Sequence, residues 1–376
     1  MAEPFKNSFN KSVVSGMARH FSKQWEGFDS NGFITDATTN LDSLELKARS
    51  DVITQTMYKY LPADFNKAGK IILGSLGTPL SDGISSGVID KNGIAGWGIM
   101  PMANYVGIYG QDHFELSMEL LKEMTKRLSS EFAIRYFILA LPDKTLSILK
   151  KWSTDENYHV RRLVSEGSRP RLPWAMKLPI YIEDPTPVIE LLERLKNDPS
   201  EYVRRSVANN LNDIAKDHPG LVANIAAKWI NGASDELKKL IKHACRTLIK
   251  NGHKKTLEIL GFKRAEVKNA SLNVLTKDVV FGGYLEFTFN ILSDSNKDQA
   301  LIIDYIIHHQ KNSGKTAPKV FKWKVTNLPA NKLLSATKKH VIKKITTRKY
   351  YQGEHKVEIM VNGVSMGVNK FNLLIP

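Results

Sequence analysis

Along the first two thirds of the chain, apolar positions recur every three to four residues, the rhythm of helices with one buried face. Val13, Val14, Met17, Phe21 and Trp25 form one stripe within residues 8–26. Leu44, Leu46, Val52, Ile53, Met57 and Tyr60 form another within residues 43–61. Asp42, with Glu45 three residues on, is placed to cap the second of these, and Asp64 to cap a helix over Phe65–Leu73. Gly74–Gly110 interrupts the rhythm with glycines, Pro79, Pro101 and Trp97, and reads as a long irregular insert. Leu116, Met118, Leu120, Leu121, Met124 and Leu128 resume it. Ser129 or Ser130 is then placed to cap the next helix, with Glu131 in its first turn. Helical spacing continues to Leu260, broken at Pro142, Pro170–Pro173, Pro185–Pro187, Pro219 and Gly232.

Around Ala265–Ala270 the period shortens to two. Leu285, Phe287, Phe289 and Ile291 alternate with polar residues, as do Phe321, Trp323 and Val325, and later Val357, Ile359 and Val361. Asn362-Gly363 then signals a two-residue hairpin. Short strands of this kind predict an immunoglobulin-like β-sandwich, with Tyr350 or Tyr351 placed for a tyrosine corner. The expected organisation is a mainly α helical domain over 1–265 and a β-sandwich over 266–376.

The helical part contains a repeat. Asp155, Val160, Arg161, Arg162 and Val164 recur 43 residues on as Asp198, Val203, Arg204, Arg205 and Val207. A weaker third copy, Asp235–Cys245, follows at an offset of 34. A period of this size marks stacked helical repeats of the HEAT or armadillo kind, an α-solenoid. Each phrase reads as the second helix of a repeat. In the second copy Asp198 caps, Pro199 takes the first helical position and Glu201 completes a capping-box-like pattern. Val160, Leu163 and Val164 have buried-stripe spacing, and the arginines fall beside it.

The run Val160–Ala175, followed by Tyr202–Lys216, resembles the AlkC branch of the AlkD-like DNA glycosylases, and the resemblance covers most of the chain. It implies a DNA repair glycosylase that needs no cofactor. Its catalytic acids would fall on Glu131, Glu166 and Asp213, and its active-site tryptophan on Trp174. The resemblance also implies that the target base stays stacked rather than being flipped into a deep pocket. The β-sandwich would add grip on the DNA.

Charge points the same way. Lys and Arg number 54 against 38 Asp and Glu, a formal net charge of +16, and the pI is near 9.6. Such a balance calls for a polyanionic partner, nucleic acid or an anionic membrane. From residue 270 onward sixteen Lys/Arg face seven Asp/Glu, with Lys338, Lys339, Lys343, Lys344, Arg348 and Lys349 the densest cluster. This cluster either binds DNA or is a solvated strand edge. Arg161, Arg162, Arg169, Arg171, Arg204 and Arg205 are expected to line a phosphate groove, or to pair with nearby acids. The insert either holds DNA or covers the helices.

Carboxylates in so basic a groove need a reason. By spacing alone Glu166 could pair with Arg162 or Arg169, and Glu131 with Arg135. The chemistry the resemblance implies also suits them. A base methylated at N3 of adenine or cytosine, or at N7 of guanine, is cationic and leaves readily, so the acids need only stabilise an oxocarbenium-like sugar and position water. An indole face stabilises the same charge.

Other classes recede. The single cysteine, Cys245, excludes an intrachain disulfide and a cysteine-based zinc site. The ten histidines show no paired metal-ligand spacing, and the glycine pairs are not phosphate loops. No apolar run approaches the ~18 residues of a membrane span, and the first residues lack the layout of a signal peptide. The chain is expected to be cytoplasmic, monomeric and free of metal, acting on double-stranded DNA that carries alkylated bases. Two other readings remain: a non-catalytic helical-repeat protein that binds unusual DNA structures, and a protein-binding scaffold.

Overall fold

The fold is given by a computed structural model that describes residues 4–80, 88–346 and 348–376. Among these are sixteen α-helices followed by eight β-strands. By packing, the chain divides into two compact units, Met1–Asp217 and His218–Pro376.

The first unit begins with α1 (Lys11–Gln24), α2 (Ser30–Thr38), α3 (Leu46–Tyr60) and α4 (Phe65–Gly74). Val14, Met17 and Phe21 are buried on α1, Ile53 and Met57 on α3. Asp64 accepts from Asn66 N at 2.9 Å and starts α4 as expected. Asp42 and Glu45 do not cap α3: neither side chain accepts from its first turn. Arg49 organises that entrance instead, donating to the carbonyls of Leu44 and Asp42.

The insert is less irregular than its glycines and prolines predict. Residues 81–87 lie outside the described residues, but Ile99–Tyr109 is a helix, α5. Eight of its eleven residues are buried. A helix enclosed on all sides shows no stripe, which hid it among the glycines.

Then follow α6 (Phe114–Thr125), α7 (Ile134–Ala140), α8 (Pro142–Trp152), α9 (Tyr158–Gly167), α10 (Pro179–Glu183), α11 (Thr186–Leu195) and α12 (Glu201–Ile214). The prolines fall in the first turns of α8, α10 and α11, where a missing N–H costs nothing. The serines before α7 do not cap it. Ser130 Oγ instead donates to Leu121 O at 3.1 Å, and Glu131 sits in the turn before the helix.

The two repeat phrases become α9 and α12, paired with α8 and α11 respectively. Val160, Leu163, Val164, Val203 and Val207 are all fully enclosed. Asn157 caps α9 through His159 N at 2.9 Å. The second start differs from the expectation. α12 begins at Glu201, and Asp198 accepts from Ser200 N ahead of the helix.

The second unit opens with α13 (Pro219–Ile230), α14 (Asp235–Ala244), α15 (Arg246–Lys250) and α16 (Lys254–Ile259). Cys245 is buried, and burial pushes its thiol up to about 12. The strands are β1 (Val267–Val274), β2 (Asp278–Val280), β3 (Tyr284–Ser293), β4 (Gln299–Gln310), β5 (Thr316–Leu328), β6 (Leu333–Val341), β7 (Gly353–Val361) and β8 (Val364–Leu374). They form one sheet of order β1-β3-β6 and another of order β2-β8-β7-β4-β5. Leu285, Phe287, Phe289 and Ile291 on β3 share one core with Val357, Ile359 and Val361 on β7, an immunoglobulin-like sandwich. Asn362-Gly363 turns β7 into β8 with φ of 47° and 78°, the left-handed pair that a two-residue hairpin requires. No tyrosine corner forms: among the described residues neither Tyr350 nor Tyr351 has a hydroxyl hydrogen bond, and Tyr350 packs its ring against Phe281 instead. No described helix is long and apolar enough to cross a membrane.

Candidate active site

Gly167, at the end of α9, lets that helix approach α7: a Cβ there would meet Ile134 Cγ2 at 2.6 Å. This close approach sets Glu131, just ahead of α7, beside α9, and the packing of α12 on α9 adds Asp213, so three acids from distant parts of the sequence meet in one chain of charges. Arg162 Nη1 donates to Glu131 Oε2 at 2.8 Å, and Arg162 Nη2 lies 3.6 Å from Glu166 Oε2. Arg169 Nη1 donates to Glu166 Oε1 at 2.6 Å, and its Nε to Asp213 Oδ2 at 2.8 Å. Lys216 Nζ closes the series on Asp213 Oδ1 at 2.8 Å. Acid and base thus alternate from Glu131 through Arg162, Glu166, Arg169 and Asp213 to Lys216.

Glu166 and Asp213 are buried at 4% and 1% exposure. Burial pushes the Glu166 carboxyl up, but Arg162 and Arg169 outweigh it, helped by hydrogen bonds from Ser206 and Arg169, and hold it below the usual range. Burial would likewise lower Arg162 and Arg169, and the facing carboxylates raise both instead. Buried ion pairs contribute little net stability over an apolar core of the same volume. A chain of them is therefore poorly explained by folding and better explained by chemistry.

Beside it opens a cleft of about 370 Å³ lined by Glu131, Arg162, Glu166, Arg169 and Trp174, with Trp97, Phe132, His159 and Tyr202 among its walls. Asp213 does not line it; it meets the site through Arg169. Trp174 is 65% exposed and has φ of 65°, a strained backbone for a bulky side chain. Its loop is held from two sides. Lys47 Nζ donates to Trp174 O at 2.8 Å. The fully buried Arg135 donates to Gly167 O, Arg169 O and Met176 O, each at 2.8 Å. Burial, aided by Arg169, pulls the Arg135 guanidinium down to about 10. Arg135 is thus the keystone of the loop and not the partner of Glu131.

The remaining arginines are engaged as well. Arg161 forks onto Asp198 at 2.6 and 3.0 Å and donates to the carbonyls of Asp155 and Glu156. Arg204 repeats the second half of this arrangement with the carbonyls of Asp198 and Pro199. Arg171 forks onto Asp217 at 2.8 and 2.7 Å. Arg205 is exposed, with no ion pair among the described residues. Five of the six arginines expected in a phosphate groove therefore hold the protein's own acids and carbonyls.

In the second unit Lys339 lies 3.6 Å from Glu286, and Lys338 sits over the Tyr305 ring at 6.0 Å. Lys343 and Lys344 are exposed. Lys344, Arg348 and Lys349 flank a second cleft with Phe281 and Tyr350.

Sequence reasoning gave Tyr202, Trp97 and Ser206 no role in the site, and gave Arg135 the wrong partner. Tyr202, whose ring carries Arg162 at 4.6 Å, stands one repeat after His159 and was legible from that offset. Arg135 left no local signal, because its partners are backbone carbonyls more than thirty residues away.

Comparison with known proteins shows what the chain resembles. A family model described as "Uncharacterised protein YhaZ, C-terminal Ig-like domain" matches residues 268–375. YhaZ of Bacillus subtilis (strain 168), described as an uncharacterized protein, is 38% identical over 360 residues, 95% of this chain and 96% of YhaZ. The solved structure of Pseudomonas fluorescens alkylpurine DNA glycosylase AlkC, bound to DNA containing an abasic site analog, matches with a TM-score of 0.86 and 34% identity. That match covers 99% of this chain and 100% of AlkC.

Proposed function

This chain belongs to the family of AlkC and YhaZ, and from that premise we propose that it is a DNA glycosylase for cationic alkylated bases in duplex DNA. The expected substrates are bases methylated at N3 of adenine or cytosine, or at N7 of guanine. The observation that carries the reading is the alternating chain of charges from Glu131 to Lys216, open to a cleft beside Trp174.

In this reading the leaving base already bears positive charge, so little acid catalysis at the base is needed. As the glycosidic bond lengthens, the sugar gains oxocarbenium character. Glu166, held ionised, and Glu131 face that charge across the cleft, and the Trp174 ring adds its π face. Asp213 acts with Arg169 to keep the Glu166 carboxylate in place, and an acid of the cleft orients the attacking water. Fixed carboxylates accomplish this without reorganising during the reaction, which makes them effective in a water-poor site. Among the described residues the cleft is lined by carboxylates, guanidinium groups and rings. In this reading the base stays stacked and its sugar is brought to the acids, as the resemblance to AlkC implies. We assign grip on the duplex to Arg205 and to Lys338, Lys339, Lys343 and Lys344.

The test is base release from methylated duplex DNA, with wild type beside Glu166→Gln and the freed bases identified by chromatography. Release that falls about 10²–10³-fold in the variant, with duplex binding retained, is the expected result. No release by a folded, DNA-binding wild type would instead favour a non-catalytic binder.

A further inference from the structure

The two repeat copies differ at one position of the buried stripe. Leu163 in the first is matched 43 residues on by Ser206 in the second. Ser206 is buried at 2% exposure, where an unbonded hydroxyl is costly. Its Oγ donates to Glu166 Oε2 at 2.6 Å and lies 2.7 Å from Ser165 Oγ. An ionised carboxylate only accepts hydrogen bonds. The single Ser206 proton therefore points to Glu166, and the Ser165 proton takes Ser206 Oγ, its shorter acceptor, over Arg162 O at 3.1 Å.

This is the short contact on Oε2, since Arg162 stands 3.6 Å away. The other oxygen, Oε1, has its own short donor in Arg169. Asn210, one turn beyond Ser206, donates to Ser165 O at 2.8 Å and lies 3.2 Å from Ser168 Oγ. It thereby fixes α12 against α9 at the same level.

We propose that Ser206, oriented by Ser165, is a positioning residue for Glu166: it fixes the plane of the carboxylate so that the acid meets the reacting sugar already aligned. The inference rests on the glycosylase reading and names a residue through which that site is built. Ser206 does not line the cleft, so it acts through Glu166 and not on substrate. The ionisable groups around that carboxylate are Arg162 and His159 on α9, Arg169 in the following loop, Tyr202 on α12, and Glu131 and Arg135 around the start of α7. Asp213 lies beyond Arg169. None of these replaces a hydroxyl on Oε2.

The experiment compares single-turnover base release and duplex affinity in Ser206→Ala, Ser206→Cys, Glu166→Gln and the double variant Ser206→Ala/Glu166→Gln, using methylated duplex DNA. Ser206→Ala is expected to slow release about tenfold, the worth of one hydrogen bond to a charged group, with affinity within about twofold of wild type. Ser206→Cys keeps a donor at the same position but a larger and weaker one, and should fall between. In the Glu166→Gln background the Ala change should cost nothing further. The acidic limb of the Ser206→Ala profile should move to higher pH, because the lost bond favoured the ionised form.

Wild-type release by Ser206→Ala would overturn the proposal. So would full activity in Ser206→Cys with a slow Ser206→Ala, which would mean a packing role. An equal penalty in the Glu166→Gln background would overturn it too. Normal release by Glu166→Gln itself is a different failure: it removes the site reading on which this one stands.

Discussion

Two sets of cations, one in each unit, are used in opposite ways. In the helical unit Arg161, Arg162, Arg169 and Arg171 each have a carboxylate partner, and Arg204 has a pair of carbonyls. In the β-sandwich unit Lys343, Lys344, Arg348 and Lys349 have no carboxylate partner among the described residues. Arg348 lies over the Tyr350 ring at 5.8 Å and Lys349 over Tyr351 at 5.6 Å. A tally of positive residues treats these sets as equal. Electrostatics does not. A paired, buried guanidinium orders its acids and has little field left for a distant polyanion, whereas a solvated, unpaired one keeps its charge available. The first set builds a site; the second is free to hold a backbone.

The strongest way to break this comparison is at Arg169. In Arg169→Met the buried Glu166 is left with the Arg162 cation alone, 3.6 Å away, and the buried Asp213 with Lys216 alone. Removing one partner from a buried pair costs about 3–5 kcal/mol. Thermal unfolding should register that loss, and base release should collapse with it. If Arg169 is instead a phosphate ligand, the variant will keep its stability and show only weaker, less salt-dependent binding.

The complementary variant is Lys344→Ala/Arg348→Ala/Lys349→Ala. Its unfolding midpoint should fall only slightly, since no ion pair is broken and only the ring contacts of Arg348 and Lys349 are lost. Its duplex affinity should fall, and the log–log dependence of affinity on salt should become shallower by roughly 0.9 for each phosphate that is no longer neutralised. A drop in stability with an unchanged salt slope would make this cluster structural and erase the contrast.

Acid separates the units in a third way. Burial, with nearby cations, lowers His309 to about 3 and His340 to about 4, both within the sandwich. A histidine whose folded value lies below its ordinary 6.5 contributes stability that is complete above about 6.5. That contribution is lost as pH falls toward the folded value, because the unfolded chain takes up the proton first. For His309 the loss is about 1.4 kcal/mol per pH unit below 6.5. The midpoint of the second unit should therefore fall between pH 7 and pH 5, and less steeply in His309→Phe. Glu166 works in the other window. Its folded value is depressed from 4.5, so its contribution persists until pH drops below 4.5. Identical pH dependence in His309→Phe and wild type would remove His309 from this account.

Much of this was legible in the residues. Alternation placed β3 and β7, Asn362-Gly363 placed the hairpin that follows β7, and the 43-residue offset placed α9 and α12. What was not legible depended on choices between near and distant partners. Spacing offered Arg135 to Glu131, but Arg135 turns inward to three carbonyls, and Arg162 takes the acid from another helix. Asp198 accepts from the backbone ahead of α12, yet both its oxygens also bind Arg161 across the repeat. The left-handed Trp174 sits in a loop held by distant residues, Lys47 on Trp174 O and Arg135 on Met176 O, and no pattern in residues 170–178 encodes it.

The finest form of the comparison lies within two consecutive residues of α12. Arg204 donates to Asp198 O at 2.5 Å and Pro199 O at 2.9 Å, as Arg161 does to Asp155 O and Glu156 O one repeat earlier. Both tie the entering chain to the helix it becomes. Arg205, its neighbour, is exposed. Arg204→Ala should cost about 1.5–3 kcal/mol, the range for hydrogen bonds from a charged donor, and leave the salt slope of DNA binding unchanged. Arg205→Ala should leave the unfolding midpoint unchanged and lower that slope by about 0.9. If the two variants exchange these results, the repeat's first arginine is the phosphate ligand and its second the structural one. The division of labour drawn here for the whole chain would then be reversed at its smallest unit.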